Sequence, residues 1–379
     1  MCSRAALSVT QAQSGDRYEI GIPMGKLEFL QQAASITHPL VAPTRVDQDN
    51  ATAMARILGR SPSETVAWRR KQVLRAKLLK ARLAPAEVTV RRSMDQQVAD
   101  VIRNKQTVLF EALLREVEYD DMGVVRVLRE GVRLVGQAPE TGVFEPDMQP
   151  PSIPEDLLLE MAPAIRAQIQ HERGVTDSDL QRAVLEQTAD EASDKGWLKG
   201  PFTEQEVNER LGADWTPNRR FGIQQSGKIR LIDDFSASRV NAAFGRTEKP
   251  RLLGLDEVMG LARAFAMAPQ PRNSFLIQTL EGMSFTGKMH PGWGSPASVG
   301  MLGRLLDLEA AYKQLAVHPD HRKYNVVAIV GADGSWQYFI GVTLAFGSCA
   351  AVYAFLRLAR AIKTLAQRML DLVFGELLR

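Results

Sequence analysis

From Ser335 to Leu356 the chain runs 22 residues without a charge. A segment of that kind has to be buried, either in lipid or in protein. Its length admits a membrane span, but its internal grammar argues for the protein interior. Trp336-Gln-Tyr-Phe-Ile340 reads as a strand, and Gly341, Thr343, Gly347 and Ser348 interrupt any continuous helix. The stretch therefore predicts a strand, a loop and the start of a helix. That helix should run from about Ser348 to Leu372, with Val352, Phe355, Ile362, Leu365 and Met369 as its apolar stripe. Just upstream, Asn325-Val-Val-Ala-Ile-Val330 and the Trp336 strand are separated by Gly-Ala-Asp-Gly-Ser, which predicts a hairpin.

The rest of the chain supplies the core such a segment needs. With 45% hydrophobic and 24% charged residues among 379, the sequence carries enough apolar material for two or three cores. It is not that of a disordered chain, a collagen or a coiled-coil rod. The beginning holds no apolar stretch long enough for a secretory leader. Cys2 and Cys349 lie almost the full length apart, which excludes a disulfide framework or a CxxC metal site. An intracellular setting, cytoplasmic or nuclear, is the expectation, with no membrane partner.

Charge is unevenly divided. Residues 1–195 carry 25 Lys+Arg against 28 Asp+Glu, whereas residues 196–379 carry 22 against 16. The second portion is the better candidate for meeting a polyanion. Within the first, Trp68 to Leu83 holds seven basic residues and no acid, with Val73, Leu74, Leu78, Leu79 and Leu83 near helical spacing. This is either a helix for nucleic acid or an anionic surface, or an amphipathic helix whose basic face is simply solvated. A second helical stretch is expected from about Met94 to Gly131. Phe144 to Pro154 carries four prolines and reads as a linker. Pro154-Glu-Asp-Leu opens a further helix with acids in its first turn, and Thr176-Asp-Ser-Asp179 caps another that runs to Gly196. Strand signals become frequent only after Gly196, so the fold class is α+β with a mostly helical N-terminal region.

Three segments carry chemistry. Gly227-Lys-Ile-Arg-Leu-Ile-Asp-Asp-Phe-Ser236, with Val240-Asn241, predicts a strand bearing two outward cations. Leu302 to Leu308 predicts a strand ending at Asp307, with Tyr312 five residues on, and runs through Lys313-Gln314 into His318-Pro-Asp-His-Arg-Lys-Tyr324. Leu344 to Phe355 is a Gly-Ser loop opening a helix. Cations for phosphates, a carboxylate for Mg²⁺ and glycine backbone that admits close approach together furnish a phosphoryl-transfer site.

From about Gly200 to Phe355 the sequence resembles the fingers and first palm segments of a retrotransposon reverse transcriptase, with the texture of DIRS-type elements. The resemblance rests on Gly200-Pro-Phe202, Arg230 to Asn241, Asp307 to Tyr312, His318 to Tyr324 and Phe346-Gly347, in that order. It implies a partial right-hand polymerase domain and RNA-templated DNA synthesis by two-metal nucleotidyl transfer, with template-primer and deoxynucleotide as partners and Mg²⁺ as cofactor. By the same resemblance Asp307 binds the catalytic metals and Tyr312 lies under the incoming sugar. Lys228 and Arg230 run along the triphosphate, and Gln314 and Gly347 line the nucleotide pocket. The implied layout is a helical region over 1–143, a Pro-containing linker and helices over 144–195, fingers over 196–300 and a partial palm over 301–379.

The sequence also departs from the family. Ala345 stands where a proline is usual, and Ala350-Ala351 occupy the later pair. No Tyr-x-Asp-Asp segment follows Phe355; Asp371 and Glu376 sit five apart without an acidic neighbour. The expectation is a chain truncated before its second carboxylate motif and catalytically incomplete alone. A non-catalytic nucleic-acid-binding or assembly protein, or a degraded retroelement fragment, stays open beside it. Glu118-Tyr-Asp-Asp-Met122 lacks the intervening residue and is expected within helical sequence, so it is not the missing motif. His318 and His321 are expected to be structural rather than metal ligands.

Overall fold

The computed structural model describes residues 6–10, 17–21, 25–35, 45–172, 178–250, 255–294 and 308–373. Among these the fold is mixed α+β with several small sheets. A two-stranded ribbon, β1 (Ala6–Thr10) and β2 (Arg17–Gly21), precedes the helix α1 (Lys26–Ser35). Helices α2 (Gln48–Leu58) and α3 (Pro62–Arg92) follow. Ser61 and Glu64 form a capping box at the start of α3 and Pro62 fills its first turn, so the basic stretch lies inside a 31-residue helix.

The helical stretch expected from about Met94 to Gly131 consists of three helices, α4 (Gln96–Val101), α5 (Thr107–Glu116) and α6 (Gly123–Glu130). Glu118 has a positive φ of 52°, which no helix interior tolerates, so Glu118 to Met122 form a loop between α5 and α6 rather than helical sequence. Next come β3 (Gly136–Gln137) and β4 (Glu145–Gln149). The proline-bearing segment is thus not a free linker: β4 pairs antiparallel with a later strand, through a bulge between Pro146 and Gln149 that accommodates the missing N–H. Helix α7 (Glu155–His171) starts after Pro154 as expected, and α8 (Ser178–Ser193) ends three residues before Gly196. The residues expected to cap α8 include 176 and 177, which lie outside the described residues.

The second portion begins with β5 (Leu198–Phe202), α9 (Glu204–Leu211), β6 (Pro217–Gln225), β7 (Lys228–Asp234) and β8 (Phe244–Lys249). Helix α10 (Leu255–Met267) then leads to β9 (Pro269–Gln270), β10 (Ser274–Gln278) and β11 (Ser284–Lys288), a small antiparallel sheet against which α2 packs. The expected hairpin is present as β12 (Val326–Val330) and β13 (Trp336–Gly341), with Val330 opposite Trp336. The chain finishes its described course in α11 (Cys349–Leu370).

The central sheet has the order β5-β13-β12-β6-β7, antiparallel except where β6 meets β12. Alternation sorts its side chains: Val327, Ile329 and Phe339 face α8, while Val326, Ala328, Tyr338 and Ile340 face α9 and Trp215. Both faces are covered, which is why the charge-free segment contains a strand of this kind. Helix α11 is enclosed by α2, α3, α5 and α6, so burial extends beyond the expected stripe, of which Met369 is buried and Phe355, Ile362 and Leu365 are half-buried. Val352 is exposed, while Ala350, Ala351, Ala354 and Ala361 are buried. Close helix approach selects small residues there, and the buried polar groups are paired: Arg357 with Asp121 at 2.8 and 2.7 Å, Gln367 with Asn50 at 3.0 Å. Among the described residues no helix is long and apolar enough to cross a membrane.

Candidate functional site

The site is built around the hairpin of β6 and β7. Ser226 and Gly227 turn it with φ of 52° and 75°, the positive angles a two-residue hairpin turn requires. Lys228 opposes Gln225 and Arg230 opposes Ile223. Both cations are exposed on one face, as the period-two pattern predicts, and neither makes an ion pair among the described residues. Lys228 stands at the tip, five residues from Asp233, or about 17 Å along the strand.

At the base of the hairpin Asp233 is buried opposite Arg220. The guanidinium meets its carboxylate through Nε at 2.7 Å and Nη2 at 3.0 Å. Arg220 Nη1 also donates to Glu191 at 2.8 Å, and Lys313 Nζ reaches the same Glu191 oxygen at 3.4 Å. Burial works against both cations. For Arg220 the ion pairs with Asp233 and Glu191 outweigh it and raise the pKa. For Lys313 desolvation wins over Glu191, and the pKa is lowered. Two acids and two bases from α8, β6, β7 and the turn after Glu309 thus form one compensated cluster, to which Lys313 is contributed by the residue next to Tyr312.

Three segments converge above it. Gly347 has φ of 113°, and a Cβ at this position would lie 2.3 Å from the Asp233 carbonyl oxygen. Asn241 clamps the same turn, donating from Nδ2 to the Gly347 carbonyl at 2.9 Å and accepting from the Cys349 N–H at 2.9 Å. Ser348 caps α11. Phe346 is exposed, and its ring lies 5.6 Å from that of Tyr312, which meets Phe355 edge-on at 5.6 Å. Tyr312 is half-buried, and burial pushes its phenol up. Gln314 folds back, donating to the Glu309 carbonyl at 2.8 Å.

The structure therefore brings Tyr312 beside the Phe346-Gly347 turn, turns Gln314 back onto Glu309, and leaves Lys228 and Arg230 along the projecting hairpin. Asp307 lies outside the described residues, as do Leu302 to Leu306. The described acids do not offer a magnesium site in its place. Asp233 is occupied by Arg220, and Asp234 accepts from the Ser236 and Ala237 amides at 3.1 and 2.9 Å. Among the described residues no group of three or more His, Cys, Asp or Glu gathers in metal-binding geometry.

The other candidates have structural places. His321 is buried; the Leu134 amide donates to its Nδ1 at 3.2 Å, and Arg133 Nη1 lies 3.2 Å from Nε2. Burial pulls its pKa down to about 4, with Glu155 opposing and Arg133 adding to the fall. His318 Nδ1 accepts from the Asp320 amide at 3.3 Å, and Tyr324 donates to Glu155 at 2.6 Å. The segment is a clasp between α7 and residues 131–134. Asp371 sits beyond the end of α11, fully buried, with Arg56 at 3.2 Å and Arg60 at 2.8 Å. Arg69 donates to the Leu370 and Asp371 carbonyls at 2.8 Å each, so this carboxylate closes the helix end. Glu376 lies outside the described residues.

Arg220, Glu191 and Lys313 were not legible as a group, although one signal existed. A two-residue turn at Ser226-Gly227 sets Arg220 directly opposite Asp233 by counting outward from it. Compared with protein-family profiles, curated proteins and solved structures, the chain matches none.

Proposed function

We propose that residues 196–373 are the fingers and first palm segments of a reverse-transcriptase-like nucleotidyltransferase, holding template-primer and an incoming deoxynucleotide. One observation carries this reading. Asp233 and Asn241 of the first resembling segment meet Gly347 of the third, more than a hundred positions further on, and Tyr312 of the second lies against the neighbouring Phe346. In this reading Tyr312 forms the floor for the sugar, with Phe346 and Phe355 fixing its ring. Gly347 keeps the backbone low enough for a nucleotide to approach, and Lys228 and Arg230 meet phosphates from the hairpin. Asp307 is the carboxylate the resemblance assigns to Mg²⁺.

By itself this polypeptide binds these partners without joining nucleotides, because the carboxylates of Asp233 and Asp234 are taken up by Arg220 and by the Ser236 and Ala237 amides and neither is free to hold a second metal ion. Primer extension with the purified chain, primed RNA template, deoxynucleotides and Mg²⁺ tests this. The expected result is binding without extension. Extension abolished by Asp307→Asn would overturn the inactive assignment.

A second reading, a nucleic-acid-binding or assembly protein without a nucleotide site, is favoured by the free cations Lys228 and Arg230. It predicts salt-dependent binding weakened by Lys228→Ala/Arg230→Ala and indifferent to deoxynucleotides.

A further inference from the structure

Helix α3 turns one face to α5 and α11 and leaves another in water. On the free face, Ala67, Lys71, Leu74, Leu78, Ala81, Pro85 and Val88 follow one another at alternating spacings of four and three residues. All seven are exposed, Leu74 at 58%, Leu78 at 64% and Val88 at 49%. That alternation is the seam of a two-stranded coiled coil, here about 32 Å long at the rise of an α-helix. A surface helix with no further partner has no reason to repeat apolar residues along its wet side.

The positions flanking the seam are Arg70 and Lys77 on one side and Arg75 and Arg82 on the other. Arg75 is ion-paired with Glu116 of α5; Arg70, Lys77 and Arg82 are exposed. No acid flanks the seam between Trp68 and Leu83. A second copy of α3 would set cation against cation in either orientation, so the seam rejects self-pairing. Nucleic acid would satisfy the cations but leave Leu74 and Leu78 in water, since aliphatic side chains give bases no stacking surface. A lipid surface calls for a broad continuous apolar face, whereas the exposed Arg70, Lys71 and Lys77 interrupt this one around Leu74.

We propose that α3 docks an acidic amphipathic helix of a partner protein as a heterotypic coiled coil. Its apolar residues interdigitate with Leu74, Leu78, Ala81 and Val88, and its flanking carboxylates face Arg70, Lys77 and Arg82. Lys71 fixes the register by requiring an acid opposite it.

The test uses the full 379-residue chain and two synthetic peptides of about four heptads each, identical in their Leu seam, one with Glu and one with Lys at the flanking positions. Fluorescence anisotropy should show the acidic peptide binding at least about tenfold tighter than the basic one. Leu74→Glu/Leu78→Glu should lose that binding at unchanged thermal midpoint, since both side chains are solvent-facing. Arg70→Glu/Lys77→Glu/Arg82→Glu should invert the preference. The proposal fails if neither peptide binds, if both bind alike, or if charge reversal leaves the preference unchanged. It fails equally if sedimentation shows a dimer of the chain that the Leu variant dissolves. Binding of anionic vesicles, or of single-stranded DNA, that Leu74→Glu/Leu78→Glu abolishes together with peptide binding would also overturn it.

Discussion

Gly347 and Asp233 meet backbone to backbone, so closely that a Cβ on the glycine would stand 2.3 Å from the aspartate carbonyl oxygen. The contact joins the start of α11 to the base of the β6–β7 hairpin, and Asn241 locks it from the side. Gly347→Ala should cost about 2–4 kcal/mol, combining a positive-φ penalty with overpacking against rigid backbone. Urea unfolding reads this as a lower midpoint at unchanged slope. An unchanged midpoint would mean that the loop relaxes and the contact is not fixed.

Below that contact, Arg220 is the fork that compensates two buried acids. Arg220→Met removes the cation and leaves Asp233 and Glu191 with only Lys313, a loss of about 3–5 kcal/mol. Arg220→Lys should recover only part of it, because an ammonium cannot bridge the Asp233 carboxylate in two bonds. Equal midpoints for the lysine variant and the parent would contradict a role for the forked geometry.

His321 supplies a pH dependence whose sign follows from its burial. Its folded pKa, near 4, is below the ordinary value of 6.5, so the unfolded chain takes up a proton that the folded one refuses. The contribution is fully present above pH 6.5 and is lost as the pH falls toward 4, on the order of 3 kcal/mol over that window. His321→Asn keeps an acceptor for the Leu134 amide without titrating. The stability difference between parent and variant should shrink toward acid; a difference constant with pH would contradict the buried neutral imidazole.

What the sequence made legible follows period and punctuation. The β12–β13 hairpin and the start of α11 near Ser348 were read because two short apolar runs flank Gly-Ala-Asp-Gly-Ser and a Gly-Ser pair precedes the helix. The strand β4 was hidden: Glu-Pro-Asp-Met-Gln is polar and proline-bearing, and it is a strand only because Phe244 to Lys249 lies alongside. The α11 stripe was read only in part, since Met369 is buried and Phe355, Ile362 and Leu365 are half-buried but Val352 is exposed. Enclosure on several sides favours alanines and paired polar groups over large apolar ones, and no single-helix periodicity records which neighbours arrive. At the site, Tyr312 and Gly347 were singled out by the resemblance, whereas Arg220 and Glu191 act across the fold and have no local signature.

The proposed deoxynucleotide pocket beside Tyr312 can be reached by one measurement that does not require catalysis. The affinity of the chain for a primed RNA template is measured with the complementary deoxynucleotide, a mismatched one and the matching ribonucleotide. The account predicts that the complementary deoxynucleotide alone tightens the complex by about tenfold, and that Tyr312→Ala erases its advantage over the ribonucleotide. Equal affinity with all three, at wild-type Tyr312, would contradict it.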